Sequence, residues 1–314
     1  MAVGINIKKR RYELHMSQQE LADAMGYKTR STIAKIESGE NDVSQKKLQK
    51  FATVLNTTVE NLISGGQAFH TMSDEFPMTA QEKQNRNIAI ILAGGKTINN
   101  RQGIPSQFMN IHGKPAVVYC MQAYQTHPAI DEIYVVSLRG WEKIVAAYAK
   151  QYGISKLKGL IIGGNSGMIS LENALKAIKD RTALEDTIII QEATRPQVTT
   201  EMISQLLEAT TEQGSATLCH AMKEYVQFDV SGNVAEYIDR NSIIALQSPE
   251  AHSFSLLCEV FERAHQQNYP LTDSNCTMLL YNLGYNINFV ESSVNNIKIA
   301  REEDLAAVSA LIRE

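Results

Sequence analysis

Residues 87–95 read NIAIILAGG. Ile88-Ala89-Ile90-Ile91-Leu92 is a short continuous apolar run, the pattern of a parallel strand buried on both faces. It passes into Ala93-Gly94-Gly95, a loop at the strand's carboxyl end where phosphate can approach backbone N–H groups. Similar runs recur at Glu132–Ser137, Leu160–Ile162, Thr187–Ile190, Ala216–Cys219 and Ile287–Val290. Amphipathic stretches separate them, at Ala116–Gln125, Trp141–Tyr152, Ser170–Lys179, Thr200–Glu212 and Ser253–Gln266. Strands alternating with helices imply a mostly parallel sheet covered on both faces, with ligands at the carboxyl ends of the strands. This pattern fills residues 86–314.

Upstream of Asn87 the pattern changes. Residues 67–85 show no sustained period, are polar and contain Pro77, so they read as a connector. Residues 1–66 predict five short helices. The first runs through Ile5–Leu14. Ser17-Gln18-Gln19-Glu20 forms a capping box that opens a second helix through Met25, and Gly26 supplies its left-handed stop. Thr29 is the expected N-cap of a third helix over Ser31–Glu37, ended by Gly39. Ser44–Leu55 and Val59–Ile63 complete the set, with Leu48, Phe51, Leu55 and Leu62 at helical spacing.

The chain has 314 residues, long for one domain, and its net charge of −4 is unevenly spread. Residues 1–66 hold 10 Lys+Arg against 7 Asp+Glu, whereas the remainder holds 20 against 27. A small basic module on a larger acidic body points to nucleic acid as a partner of the first part only. No stretch approaches the length of a membrane span, and the N-terminus lacks the apolar core of a secretory signal, so the cytoplasm is the expected compartment. The 4 cysteines form no CxxC pair and read as reduced thiols in or near the core.

The segments QQELADAMG (18–26), STIAKIESG (31–39) and LQKFATVLN (48–56) closely resemble the phage-repressor and Cro family of helix-turn-helix regulators. The resemblance covers residues 1–66 and implies double-stranded operator DNA as partner. Arg30, Ser31 and Lys35 would face base edges, with Arg30 the candidate for a bidentate guanine contact, and Gln18 and Thr29 would touch phosphates. Family members bind as dimers, so a homodimer is expected here.

In the larger part, LAGG (92–95), PSQF (105–108), HGKP (112–115), GGNSGMISLENAL (163–175), QEATRP (191–196), RNSIIALQSPEAH (240–252), TDSN (272–275) and NNIKIAREEDL (295–305) occur in a telling order. Together they resemble the cytidylyltransferases that make CDP-methylerythritol or CDP-ribitol, and LAGG with Gln107-Phe108 leans toward the ribitol-phosphate branch. The resemblance implies a Rossmann-like nucleotidyltransferase fold with a β-hairpin arm over Tyr225–Ile238. It also implies CTP, a polyol phosphate and Mg²⁺ as ligands. By position, Gly94 and Gly95 would lie beside the triphosphate, and Gly163, Gly164 and Ser170 would hold the cytidine. Glu192 would stand at the metal, Arg195 with Thr194 at the polyol phosphate, and Lys298 on the α-phosphate.

The chain departs from that pattern where charge is needed. Position 106, where the family resemblance implies a loop lysine, is Ser106. The loop arginine is absent in register, leaving Lys96 or Arg101 as substitutes. Gly167 replaces a further arginine, and Gln191-Glu192 replaces His-Asp. Losing one cation from an in-line transfer costs about 2–4 kcal/mol of transition-state stabilisation. Three readings follow: a DNA-binding regulator whose second domain binds a cytidine nucleotide or CDP-polyol with weak or no turnover, an active cytidylyltransferase with a DNA-binding appendage, and a DNA reader whose α/β domain only dimerises.

Overall fold

The computed structural model describes residues 2–14, 16–27, 29–41, 43, 45–55, 57, 59, 62, 85–96, 103–222, 242–273 and 275–312. The connector up to residue 84, Arg101, the hairpin arm at 225–238 and most of the fifth expected helix lie outside them. The chain divides into two compact units, Met1–Phe69 and His70–Glu314.

The first unit contains α1 (Ala2–Glu13), α2 (Gln18–Met25), α3 (Arg30–Glu37) and α4 (Gln45–Val54). Helix α1 begins three residues earlier than the apolar pattern suggested. The capping box is present: Ser17 Oγ accepts the Glu20 N–H at 3.1 Å, and Glu20 accepts the Ser17 N–H at 2.6 Å. Gly26 ends α2 at φ 75°, a left-handed conformation open to glycine at no steric cost. Thr29 sits at the N-cap of α3 in extended conformation, without a side-chain capping bond. Ile7, Leu21, Ile33, Ile36, Phe51, Leu55 and Leu62 form one core. A buried ion pair crosses it: Arg11 donates to both Glu37 oxygens at 2.6 and 3.0 Å and to the Met16 carbonyl at 2.7 Å.

The second unit is built on a seven-stranded sheet. Its strands are β1 (Asn87–Ala93), β4 (Glu132–Ser137), β5 (Leu157–Ile162), β6 (Thr187–Glu192), β7 (Ser215–Ala221), β8 (Ile244–Ser253) and β9 (Phe289–Glu291). The order is β5-β4-β1-β6-β8-β7-β9, and a two-stranded ribbon of β2 (Asn110–Ile111) and β3 (Lys114–Pro115) stands apart. Strands β5, β4, β1 and β6 are parallel, β8 runs antiparallel to β6 and β7, and β9 is parallel to β7.

Alternate residues of each strand feed opposite cores. Ala89, Ile91, Ile133, Val135 and Ile189 face α5 (Ala116–Thr126), α6 (Glu142–Gln151) and α8 (Thr200–Gln213). Ile88, Ile90, Val136, Ile188 and Ile190 face α7 (Gly167–Ile178), α9 (Phe254–Gln266) and α10 (Cys276–Asn282). Helix α11 (Glu302–Leu311) closes a small cluster with Met109, Ile111 and Ile299. The strand β8 was not expected from the sequence, and it lies inside the sheet between β6 and β7. All four cysteines are free, three of them buried, as expected. No helix among the described residues is long and apolar enough to cross a membrane.

Candidate functional site

The carboxyl ends of β1 and β6 and the loop after β5 open into a cleft of about 510 Å³. One end is made of backbone. The loops after β1 and β5 touch at their glycines: a Cβ on Gly163 would lie 3.2 Å from the Gly94 Cα and 3.2 Å from Ser170 Oγ, and one on Gly164 would run into Ile169. Ser170 is buried and fixes this turn, accepting the Gly164 N–H at 3.0 Å and donating to the Ser166 carbonyl at 2.7 Å. Ser166 caps α7, accepting the Ile169 N–H at 3.1 Å. On the other wall, buried Gln107 donates to the Ala93 and Gly95 carbonyls, both at 2.8 Å, and so sets the course of the Gly94-Gly95 loop. Phe108 beside it stacks on Trp141 at 4.2 Å.

The other end carries charge. Glu192, at the end of β6, pairs with Arg195 Nε at 2.9 Å through one oxygen and with Lys298 Nζ through the other. Arg195 also donates to the Asn296 carbonyl at 2.7 Å. Beneath them Gln191 is fully buried. It accepts from the Tyr124 hydroxyl at 3.0 Å and donates to the Glu192 and Arg195 carbonyls at 2.8 and 3.2 Å. Ser248 accepts the Glu192 N–H at 3.1 Å. Residues far apart in sequence thus meet: Gly94, Gly95, Lys96, Gly164, Ser170, Glu192, Arg195 and Lys298 all line one cleft, and Gly163 backs it. Lys96 is exposed and makes no ion pair with another described residue, and Ser106 is buried in the wall.

The sequence of the 2-C-methyl-D-erythritol 4-phosphate cytidylyltransferase family matches residues 87–314, and a helix-turn-helix family matches residues 7–62. The chain belongs to the methylerythritol-phosphate cytidylyltransferase family. It is 31% identical over 230 residues to a ribitol-5-phosphate cytidylyltransferase of Lacticaseibacillus paracasei, covering 72% of this chain and 97% of the relative. It is 29% identical over 222 residues to a 2-C-methyl-D-erythritol 4-phosphate cytidylyltransferase of Clostridium botulinum, covering 70% of this chain and 95% of that one. The fold is that of 4-diphosphocytidyl-2C-methyl-D-erythritol synthase from Anaerococcus prevotii, at a TM-score of 0.62 and 19% identity over 72% of this chain and 96% of that structure.

The family implies a divalent metal. No group of three or more His, Cys, Asp or Glu is gathered among the described residues. Mg²⁺ that travels with a nucleotide needs only one or two carboxylates, its other ligands being phosphate and water. Glu192 at the cleft's charged end meets that need, on condition that it releases Lys298 or Arg195.

In the helix-turn-helix unit, Thr29, Arg30, Ser31 and Lys35 are all exposed, with Ser31 and Lys35 on the side of α3 away from buried Ile33, Ile36 and Glu37 and with Thr29 and Arg30 at the start of the helix. Gln18 is half-buried and donates to Glu37 at 3.0 Å, which ties the start of α2 to the end of α3. Sequence reading gave no structural role to four polar residues that organise these sites: Arg11, Glu37, Gln107 and Glu250. Each is a polar or charged residue inside a core, where composition and periodicity give no signal.

Proposed function

We propose that this chain is a DNA-binding regulator whose cytidylyltransferase-family domain binds a cytidine nucleotide or CDP-polyol, with weak or no turnover. One observation carries the reading. The backbone end of the cleft is fully built, whereas at the charged end Arg195 and Lys298 share the single carboxylate of Glu192, which offsets one of their two charges. Where the family resemblance implies a loop lysine there is buried Ser106. A domain that served only to join two DNA readers has no use for glycine loops held by Ser170 and Gln107.

In this reading Gly94 and Gly95 offer backbone N–H groups to phosphate, and the Gly163-Gly164 turn with Ser170 bounds the base. Arg195 and Lys298 reach a ligand's phosphates only by leaving Glu192. Mg²⁺ bound with the ligand would supply charge neutralisation, with Glu192 as its holder. Arg30, Ser31 and Lys35 read DNA, with Thr29 and Gln18 at the backbone, as one half of a homodimer. Occupancy of the cleft regulates DNA binding to the extent that ligand prefers one of two arrangements of the readers.

A second reading, an active cytidylyltransferase, is favoured by the gathering of Arg195, Lys298 and Glu192 in one network. Purified protein given CTP, Mg²⁺ and a panel of polyol phosphates separates the two. A ligand-dependent rise in melting temperature without pyrophosphate release supports the regulator, and sustained release supports the enzyme. Operator affinity that no cytidine nucleotide or polyol phosphate alters would remove the coupling.

A further inference from the structure

In the wall of the cleft, β8 presents Glu250, whose carboxylate is buried and bound by donors from one helix. It accepts the Cys276 and Thr277 N–H groups at 2.9 and 2.8 Å and the Thr277 hydroxyl at 2.6 Å. Those N–H groups open α10 and would otherwise have no partner inside the helix. His252, two residues along the same face of β8, is fully buried, with Nε2 3.7 Å from Glu250 and Nδ1 2.9 Å from Ser215 Oγ. Burial pushes the Glu250 carboxyl up, but His252 and the Thr277 and Cys276 donors outweigh it and hold the group below its ordinary 4.5. It is a buried anion at neutral pH.

The segment just before α10 is tied to the cleft. The Leu271 carbonyl accepts from Ser166 Oγ at 2.6 Å. Ser166 is the N-cap of α7, and its carbonyl takes the hydroxyl of Ser170, which in turn holds the Gly164 N–H. Asn275 caps α10 through the Met278 N–H at 2.9 Å and itself lines the cleft. The buried carboxylate therefore anchors one helix start, and Leu271, upstream of that helix, is bonded to the start of the other.

We propose that Glu250 is a positioning residue for the cleft. By fixing the start of α10 it holds Leu271 against Ser166, and so keeps the Gly163-Gly164 turn in its ligand-receiving shape. A glutamine of the same size places an NH₂ among N–H donors and removes the charge that makes those bonds strong. Only the ligand half of the test rests on the nucleotide-binding reading above.

The test compares full-length wild type with Glu250→Gln by amide hydrogen exchange without ligand and by calorimetric titration with CTP and Mg²⁺. Exchange is expected to quicken about tenfold both at 276–278 and at 166–170, and CTP affinity to fall about tenfold, the loss of one charge-assisted bond. Faster exchange confined to 276–278, or unchanged CTP affinity in a variant whose α10 start has loosened, overturns the proposal. If wild type does not bind CTP, the nucleotide-binding reading fails while the exchange comparison still decides the coupling. If Glu250→Gln does not fold, Thr277→Val, which removes one of the three bonds, takes its place. It is expected to give the same pattern at about two- to threefold, and no change at 166–170 overturns the proposal.

Discussion

Each unit of the molecule contains a glutamate that holds an arginine, and the two pairs differ in burial. Glu37 and Arg11 have side chains 2% and 4% exposed, shut inside the helix-turn-helix core. Glu192 is 26% exposed, and its partners Arg195 and Lys298 are 13% and 47% exposed, at the edge of a cleft. A pair sealed from water cannot exchange partners, so it serves the fold, and the unit's reading residues Arg30 and Lys35 stay exposed for DNA. A pair open to water can trade its carboxylate for another anion. The same chemistry is therefore structural in one unit and a competitor for ligand in the other.

That contrast can be broken in several places. Glu37→Ala leaves Arg11 buried and uncompensated and is expected to cost the N-terminal unit about 3–5 kcal/mol in urea unfolding. A loss under about 1 kcal/mol would make this pair no different from a surface one. Ser106→Lys restores a cation to the cleft wall. Pyrophosphate release from CTP should rise by up to about a hundredfold over wild type if missing charge is what limits turnover. Arg30→Ala should weaken operator binding by about 1–3 kcal/mol and relax preference at one base pair, as read by binding-site selection.

Glu192→Gln should leave stability within about 1 kcal/mol of wild type. Affinity for inorganic pyrophosphate measured without divalent cation should rise several-fold, to about tenfold, because two cations lose their internal anion. Weaker binding would show that Glu192 organises the cations rather than competing for them. The smallest expected effect is acid-dependent. Glu250, held below 4.5, contributes stability that is present above pH 4.5 and is lost as pH falls through its lower folded value. Glu250→Gln should flatten the stability profile in that window.

Much of this was legible in the residues themselves. The apolar run at Ile88–Leu92, the Ser17–Glu20 capping box and the glycine stop at Gly26 are local signals, and local signals survive into the fold. β8 was hidden because its central part, Gln247-Ser248-Pro249-Glu250-Ala251-His252, alternates nothing: its polar groups are buried, and their hydrogen bonds come from α10, β7 and the segment at Asn296. Ser170, which the family resemblance puts at the cytidine, lines the cleft, and its hydroxyl also holds the turn at Gly164, a contact that depends on how two loops meet. The pairing of Glu192 with Lys298 spans 106 positions and becomes visible only once β6 and the segment after β9 lie side by side.

The central claim, that the pocket is kept while part of its charge is held internally by Glu192, is tested most directly by one experiment. Pyrophosphate release by the wild-type protein with CTP, Mg²⁺ and ribitol 5-phosphate or 2-C-methyl-D-erythritol 4-phosphate is followed together with thermal stabilisation by the same ligands. Stabilisation by CTP or a CDP-polyol with little or no release is the predicted result. Sustained turnover would contradict it, and would mean that Lys96, Arg195 and Lys298 still deliver enough positive charge to the reacting phosphate.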